Sequence, residues 1–355
     1  MNRYARQIIL PNFGPQTQQK LKTSKVLIVG AGGLGIPVLQ YLTAAGIGVI
    51  GIADGDTIDI SNLQRQVLFY EQDIGYNKAT VAYNKLHSLN SEIEFVVYDY
   101  NINQQNVFDI VECFDIVVDC TDNFSIRYLL NDVCELLTKP LVFASIFQFE
   151  AQLSVFHYGV NPYSLRDIFP NIPISNSVPN CTEAGVIGTI TGLIGSIQAN
   201  EVIKIITNIG TVNSGTLLLV NSLYNTMQNV TISKNSSLIP FTTKDQILNY
   251  NYGSFCSHYQ YIYSLNELKE LLTMDNSILI DVRELEELPK VIEVSCKQIP
   301  LSILPSTLQD LKSYNHIVFL CKSGVRSKKA IDITQEVFPS KTIYSIKDGI
   351  TIFEE

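Results

Sequence analysis

Short apolar runs closed by glycine or an acidic residue alternate with longer amphipathic stretches through the first half of the chain. The run Lys25-Val26-Leu27-Ile28-Val29 ends at glycine and predicts a buried parallel strand, since a strand covered on both faces is apolar at successive positions. A Gly-rich turn and an apolar stretch from Ile36 to Ala45 come next, and a second run, Val49 to Ala53, ends at Asp54. That order is a βαβ unit. Further buried strands are predicted at Glu94 to Val97, Ile116 to Val118 and Leu141 to Ala144, separated by helical stretches, as in a doubly wound α/β sheet. Residues 151–158 and 216–232 alternate apolar and polar side chains, which predicts strands with one wet face.

From Lys234 to about Tyr259 the chain turns to Asn, Ser, Tyr and Thr without a sustained period, the pattern of a surface linker. A capping box, Ser264-Leu265-Asn266-Glu267, then opens a helix with apolar positions at Leu268, Leu271 and Leu272. Strands are predicted at Ser277 to Asp281 and at His316 to Leu320, the latter ending at Cys321. The expected division is a first domain at 1–235, a linker at 236–259 and a smaller α/β domain at 260–355. A length of 355 residues agrees, being long for one core.

Composition removes several classes of function. At 46% hydrophobic residues the chain is not disordered. The weakly polar run Gly185 to Ile197 is too short to span a bilayer, and no apolar signal core follows Met1 to Arg6, so a soluble cytoplasmic protein is expected. The net charge is −9 and no Lys/Arg cluster offers a stripe for a phosphate backbone, which argues against nucleic acid as a partner. Seven cysteines are scattered with no CxxC pair, which favours reduced thiols and argues against disulfides and a thiolate zinc site.

Gly30, Gly32 and Gly35 fit GxGxxG between a strand and a helix, where backbone N–H groups can approach phosphates; Gly33 lies within the motif. Alone it suggests NAD, with Asp54 holding ribose hydroxyls. The downstream residues fit a nicotinamide site poorly: Asp54-Gly55-Asp56, Ser61-Asn62-Leu63-Gln64-Arg65-Gln66, Gly75-Tyr76-Asn77-Lys78-Ala79 and Asp119-Cys120-Thr121-Asp122-Asn123. Two cations, amides and carboxylates around a Gly loop suit a triphosphate and Mg²⁺ better. Arg65 and Lys78 could neutralise charge as pyrophosphate leaves, and Asp122 is a natural hard-oxygen ligand for Mg²⁺. Taken singly, Arg65 and Lys78 also read as solvated surface cations; the ordered set favours the site.

Together with Arg3-Tyr4-Ala5-Arg6-Gln7, these motifs stand in the order seen in MoeB/ThiF-type adenylyltransferases, relatives of ubiquitin-activating enzymes, which the chain resembles over about residues 1–232. The resemblance implies a Rossmann-like adenylation domain that activates the C-terminal Gly-Gly carboxylate of a ubiquitin-like sulfur carrier. It implies ATP binding by Gly33, Asp54, Asn62, Arg65 and Lys78, with Gly30, Gly32, Gly35, Asp56, Ser61 and Asn123 in the same motifs, and Mg²⁺ on Asp122. Arg6 matches an arginine that reaches the ATP of a second subunit, which implies a homodimer. The family's zinc-binding CxxC pairs are missing: Ser164 and Asp167 stand at the first and only Cys256 remains at the second, so no zinc is expected. Cys181, before a predicted helix, matches a cysteine linked to covalent acyl-carrier intermediates; a small buried apolar residue is the alternative.

The second chemical constellation is Cys321-Lys322-Ser323-Gly324-Val325-Arg326-Ser327, between a strand and a helix. Converging N–H groups and the charges of Lys322 and Arg326 would depress the Cys321 pKa, for a phosphocysteine or for a persulfide. Leu279-Ile280-Asp281-Val282-Arg283-Glu284 and Asp348-Gly349-Ile350 resemble a rhodanese-like domain over about residues 260–355, although Lys297-Gln298-Ile299-Pro300 departs from the usual Gly-His-Ile-Pro-Gly. By that resemblance Cys321 carries persulfide sulfur, loaded by a donor such as a cysteine desulfurase, and converts the carrier adenylate to a thiocarboxylate. Rival readings are a protein-conjugating activator working through a Cys181 thioester, a binding scaffold, and an NAD-dependent oxidoreductase.

Overall fold

The apolar runs of the first half lie side by side in one sheet. Its strands are β1 (Lys25–Val29), β2 (Val49–Ala53), β3 (Glu94–Tyr98), β4 (Ile116–Asp119), β5 (Leu141–Phe147), β6 (Glu150–Phe156), β7 (Thr216–Asn221) and β8 (Thr226–Thr231), in the order β3-β2-β1-β4-β5-β6-β7-β8. The computed structural model describes residues 3–173, 185–252, 260–338, 341–347 and 349–353. The chain divides into two units, Met1–Phe255 and Cys256–Glu355.

In the first unit β1 to β5 are parallel and β5 to β8 antiparallel. Successive side chains on a strand point to opposite faces, so β1 feeds two cores. Val26 and Ile28 pack with Ile36 and Leu39 of the helix Gly35–Ala45 and with Ile194 of the helix Gly188–Thr207. Leu27 and Val29 pack instead with Phe108 and with Leu130 of the helix Phe124–Leu136. The order of connection reverses between β1 and β4. At such a switch point the loops leaving the strand ends splay apart and open a crevice.

β6 differs from the expected one-wet-face strand. Leu153 and Val155 join one core and Phe156 the other, while the polar Ser154 is buried with its Oγ donating to Thr216 O at 2.8 Å. Exposure is confined to its end and to β8, which is exposed throughout.

Part of the expected linker belongs to the first unit. Thr243 caps a helix Lys244–Asn249, whose Ile247 is fully buried in the same core as Phe108, and Tyr252 is buried there too. Gln104 Nε2 donates to Ile247 O at 3.0 Å and Tyr250 O at 2.8 Å. A helix of this length shows one buried position and no repeat, so periodicity misses it.

The second unit is a parallel sheet of β9 (Gln260–Ile262), β10 (Ser277–Asp281), β11 (Cys296–Gln298), β12 (His316–Leu320) and β13 (Thr342–Ile346), in the order β11-β10-β12-β13-β9. Both faces are covered: Phe319 packs on one with Ala330 and Ile331, and Leu320 on the other with Leu268. Ser264 caps the helix Leu265–Leu272 by accepting from Glu267 N, and Glu267 reaches back to Tyr263 N at 2.9 Å. No helix among the described residues is long and apolar enough to cross a membrane.

If residues 244–252 are structural, Ile247→Ala leaves a cavity and costs about 2–4 kcal/mol of the first unit's stability. Denaturant unfolding followed by probes in each unit checks this; a variant as stable as the parent would make the segment a linker after all.

Candidate functional site

The carboxyl ends of β1, β2 and β4 meet at the switch point. Gly30 leaves β1 with φ 98°, and a Cβ there would stand 2.7 Å from Cys120 O; a Cβ on Gly35 would stand 1.8 Å from Gly30 O. Both positions therefore require glycine, and the chain turns directly into the helix Gly35–Ala45. Gly33 lies beside Thr191, and Gly32 beside the buried Gln66 amide.

Asp54, at the end of β2, ties this loop down. Its Oδ2 accepts from Ala31 N at 2.7 Å and its Oδ1 from Asp56 N at 2.9 Å. Burial raises its pKa above the usual carboxylate value, against the opposing charge of Lys78. Lys78 is buried, with Nζ 3.0 Å from Asp56 Oδ2. Asn77 holds the two motifs together: its Nδ2 donates to Asp54 O at 3.0 Å, and its Oδ1 caps the helix Lys78–Leu89 by accepting from Thr80 N.

Ser61, Asn62 and Arg65 share a short turn. Asp59 accepts from both Ser61 N and Ser61 Oγ, Asn62 Oδ1 accepts from Asp59 N, and Arg65 Nη1 donates to Ser61 O at 3.0 Å. On the β4 side Asn123 caps the helix Phe124–Leu136, leaving Asp122 exposed in the turn before it. That turn rests on a buried ion pair that motif spacing does not reveal: Arg127 Nε donates to Asp119 Oδ2 at 2.9 Å, and its Nη2 to Thr121 O at 2.6 Å and Ala144 O at 3.0 Å. Gln198, fully buried in the long helix Gly188–Thr207, donates to Asp119 O at 2.9 Å.

Arg6 is not part of this group. It is exposed on a helical turn, Ala5–Ile8, next to Tyr4, whose ring lies against Gly46 and whose hydroxyl accepts from Asn90 Nδ2 at 2.9 Å. Gly46 ends the 11-residue helix that starts at the Gly loop, so Tyr4 sits roughly 16 Å from it, at the other end of the strands. Cys181 lies outside the described residues.

In the second unit Cys321 follows β12 and is almost fully buried, with Sγ 3.5 Å from Ser327 Oγ. Ser327 Oγ in turn donates to Gly324 O at 2.9 Å and lies 2.7 Å from Ser345 Oγ. The loop is closed tightly: a Cβ on Gly324 would stand 2.4 Å from Lys347 O, and one on Gly349 2.4 Å from Cys321 O. Upstream, the fully buried Arg283 binds the Asp281 carboxylate through Nε and Nη2 and donates to Pro289 O at 2.8 Å, which fixes the loop after β10. That loop delivers Glu287 to Arg326, in a two-bond fork of 2.5 and 2.8 Å. Sequence reasoning missed this contact, because Glu287 and Arg326 lie 39 positions apart.

Residues 4–240 match the ThiF family and residues 264–355 the rhodanese-like domain. The chain belongs to the ThiF family. Over 380 aligned residues it is 36% identical to "Adenylyltransferase and sulfurtransferase MOCS3" of Xenopus laevis, covering 98% of this chain and 84% of that protein. Over 239 residues it is 44% identical to the "Sulfur carrier protein adenylyltransferase" of Thermus thermophilus, covering 66% and 88%. Among solved structures, E. coli MccB with AMPCPP and MccA superposes with a TM-score of 0.59 at 28% identity, over 67% of this chain and 74% of that one. MccB with ATP superposes at 0.57 and 25%, with the same coverage.

In this ThiF-family chain the place of the first CxxC pair is held by polar contacts. Ser164 N donates to Asp167 Oδ2 at 2.8 Å, and the same oxygen pairs with Lys234 at 3.0 Å while Asn235 N donates to Oδ1. Deeper in, Asn131 bonds Ser164 and His157, and Asp132 accepts from Arg166 and from Tyr252 Oη at 2.8 Å. No group of three or more His, Cys, Asp or Glu that could hold a metal occurs among the described residues, and Cys256 lies outside them.

Burial, reinforced by Lys234, lowers the His157 pKa from 6.5 to about 3. The unfolded chain then binds a proton that the folded one does not, so this group destabilises the fold as pH falls below 6.5. From His157 alone, stability is expected to drop between about pH 6.5 and 5 with a slope approaching 1.4 kcal/mol per unit, while the raised Glu135 and Asp54 act with the opposite sign. His157→Gln should flatten that slope in denaturant titrations; an unchanged slope would clear His157 of the effect.

Proposed function

We propose that the chain uses ATP to adenylate the C-terminal Gly-Gly carboxylate of a ubiquitin-like sulfur carrier and then sulfurates it from a persulfide on Cys321. The observation that carries this reading is the assembly of the Gly30–Gly35 loop, Asp54, Lys78 and Asp122 at the ends of adjacent strands, on a chain that also bears a formed cysteine loop. The named activities of the MOCS3 and sulfur-carrier relatives, and the ATP and AMPCPP bound by MccB, support it.

The carrier carboxylate is ionised and needs no general base. It attacks the α-phosphorus, pyrophosphate leaves, and an acyl-adenylate forms, so the protein's part is positioning and charge stabilisation. Gly30, Gly32, Gly33 and Gly35 allow the backbone to approach phosphates, and Asp54 meets the ribose hydroxyls. Lys78, with Arg65, Asn62 and Ser61, lies on the phosphate side, Asp56 orients Lys78, and Asn123 holds the turn that presents Asp122. Mg²⁺, held by Asp122, would neutralise the departing pyrophosphate. Arg6, remote from its own loop, serves the nucleotide of a second copy in a homodimer.

In the second stage the Cys321 persulfide attacks the acyl carbon and AMP leaves, giving an acyl disulfide. A second thiolate then attacks the Cys321 sulfur, releasing the carrier thiocarboxylate and leaving Cys321 in a disulfide. Cys181 is assigned as that thiol. A dithiol reductant then opens the Cys321–Cys181 disulfide, being oxidised to its own disulfide, and a cysteine desulfurase-type protein in the cytoplasm reloads the freed Cys321 thiolate. No zinc takes part.

ATP–pyrophosphate exchange with a panel of Gly-Gly-terminated carriers tests the first stage. Exchange should depend on one carrier, survive Cys321→Ala and fall by about a hundredfold or more in Asp122→Ala, as expected on losing a charge that stabilises the transition state. Absence of exchange with every carrier would defeat the reading. Cys181→Ala should abolish thiocarboxylate release under single turnover; undiminished yield would take Cys181 out of the scheme.

A further inference from the structure

Gln66 closes the turn that carries Ser61, Asn62 and Arg65, and its backbone is held from both sides. Its N–H donates to Asn62 O at 2.9 Å and its carbonyl accepts from Phe69 N at 3.0 Å. Leu68 and Phe69 anchor the following residues in the same core as Leu34 and Ile36. The Gln66 side chain is buried, at 3% exposure, yet its Oε1 has no hydrogen-bond partner among the described residues. A buried amide oxygen without a donor is costly, and the cost is relieved when a donor arrives. That amide borders the Gly loop. A Cβ built on Gly32 would stand 3.6 Å from Gln66 Nε2 and, chain neighbours aside, would meet no other atom of the described residues within 4 Å. Half-buried Gly32 thus leaves a small open space that has a primary amide as its wall. The hydroxyl of Thr191, beside Gly33, does not supply the missing proton, because it donates to Gly188 O at 2.6 Å.

We propose that Gln66 binds the last residue of the carrier tail, its oxygen accepting that residue's backbone N–H and its NH₂ donating to the carboxylate oxygen that does not attack. The proposal rests on the adenylation reading and deepens it. The chemistry of the orphaned atom selects the ligand. Ionised phosphates and carboxylates carry acceptors alone, so neither satisfies Oε1. In that reading the ribose hydroxyls go to Asp54, and the ribose itself separates the adenine amino group from the phosphates. The terminal glycine N–H is the donor that must come to the phosphate loop, because the carboxylate two bonds away attacks the α-phosphorus. The last torsion of a glutamine is soft, so the amide turns to meet both groups at little cost. Two hydrogen bonds then hold one carboxylate oxygen and leave the other facing phosphorus, which turns a rotating nucleophile into an oriented one. Gln66 neither gains nor loses a proton in this role. A tail whose last residue lacks an N–H leaves the amide oxygen unpaired and is rejected.

The test is ATP–pyrophosphate exchange by the full-length protein with two forms of the carrier that supports it. One ends in Gly-Gly; in the other the terminal glycine is replaced by glycolate, an ester that keeps the carboxylate and the tail length but removes the N–H. Wild type should use the ester carrier with a kcat/KM lower by about tenfold or more, the scale of one lost hydrogen bond. Gln66→Met keeps the length and packing of the side chain and removes its polar atoms. It should lower kcat/KM for the Gly-Gly carrier by about tenfold or more, leave the KM for ATP within about twofold, and show little further loss with the ester carrier. That non-additivity marks a direct contact, which a merely structural role would not produce. Should Gln66→Met fail to fold, the comparison of the two carriers on wild type and on Gln66→Glu decides the matter. An equal rate of wild type with both carriers, a Gln66→Met variant as fast as wild type, additive losses, or a change confined to the KM for ATP overturns the proposal, while exchange with the Gly-Gly carrier upholds adenylation. Absence of exchange by wild type with every Gly-Gly carrier removes the adenylation reading and this proposal with it.

Discussion

The buried pair of Asp119 and Arg127 is the interaction on which the nucleotide crevice depends. Two charges buried at the end of a central strand are costly unless every remaining donor and acceptor is satisfied. Here Asp119 also accepts from Thr121 N and Oγ1, and Arg127 reaches Thr121 O and Ala144 O, so one pair joins β4, β5, the following turn and its helix. Gln198 adds the long helix from the other face through Asp119 O and Val142 O. The cation that stabilises Asp119 thus also shapes the turn from which Asp122 projects, and removing either partner would leave a bare charge in the core.

The same economy recurs in the second unit. Asp281 and Arg283, two residues apart at the end of β10, pair through Nε and Nη2, with the buried Nη1 left without a partner among the described residues, and direct the next loop, which in turn carries Glu287 to Arg326. In each unit a buried acid at a strand end organises the loop beside it, although the folds and chemistries differ. Strand ends in parallel sheets leave backbone groups without ladder partners, and carboxylates are the acceptors best suited to collect several N–H groups at once.

Much of this was legible in the sequence where the determinant is local. Continuous apolar runs marked the parallel strands, and the glycine spacing marked the loop, because both depend on near neighbours. Asn77, Arg127, Gln198 and Glu287 were not legible in the same way. Gln198 meets Asp119 across 79 positions and Glu287 meets Arg326 across 39, and neither spacing leaves a period in the chain. The helix at 244–249 was hidden for a different reason: its single buried residue, Ile247, is too little apolar content to stand out from the Asn- and Tyr-rich stretch around it. β6 was read as a strand, but its second buried face was not, because a polar serine in a core is readable only when its acceptor, Thr216 O, is known.

The crowding at Gly30 and Gly35 has a consequence for descent. Any side chain at either position collides with backbone of the same loop or its neighbour, before a nucleotide is considered. Selection for folding alone therefore preserves these glycines, and a duplicate that had lost catalysis would keep them as faithfully as an active enzyme. Exposed Asp122 has no such protection, and drift would erase it first. Divergence between the two kinds of position would mark, in a lineage, the moment at which the fold outlived its chemistry.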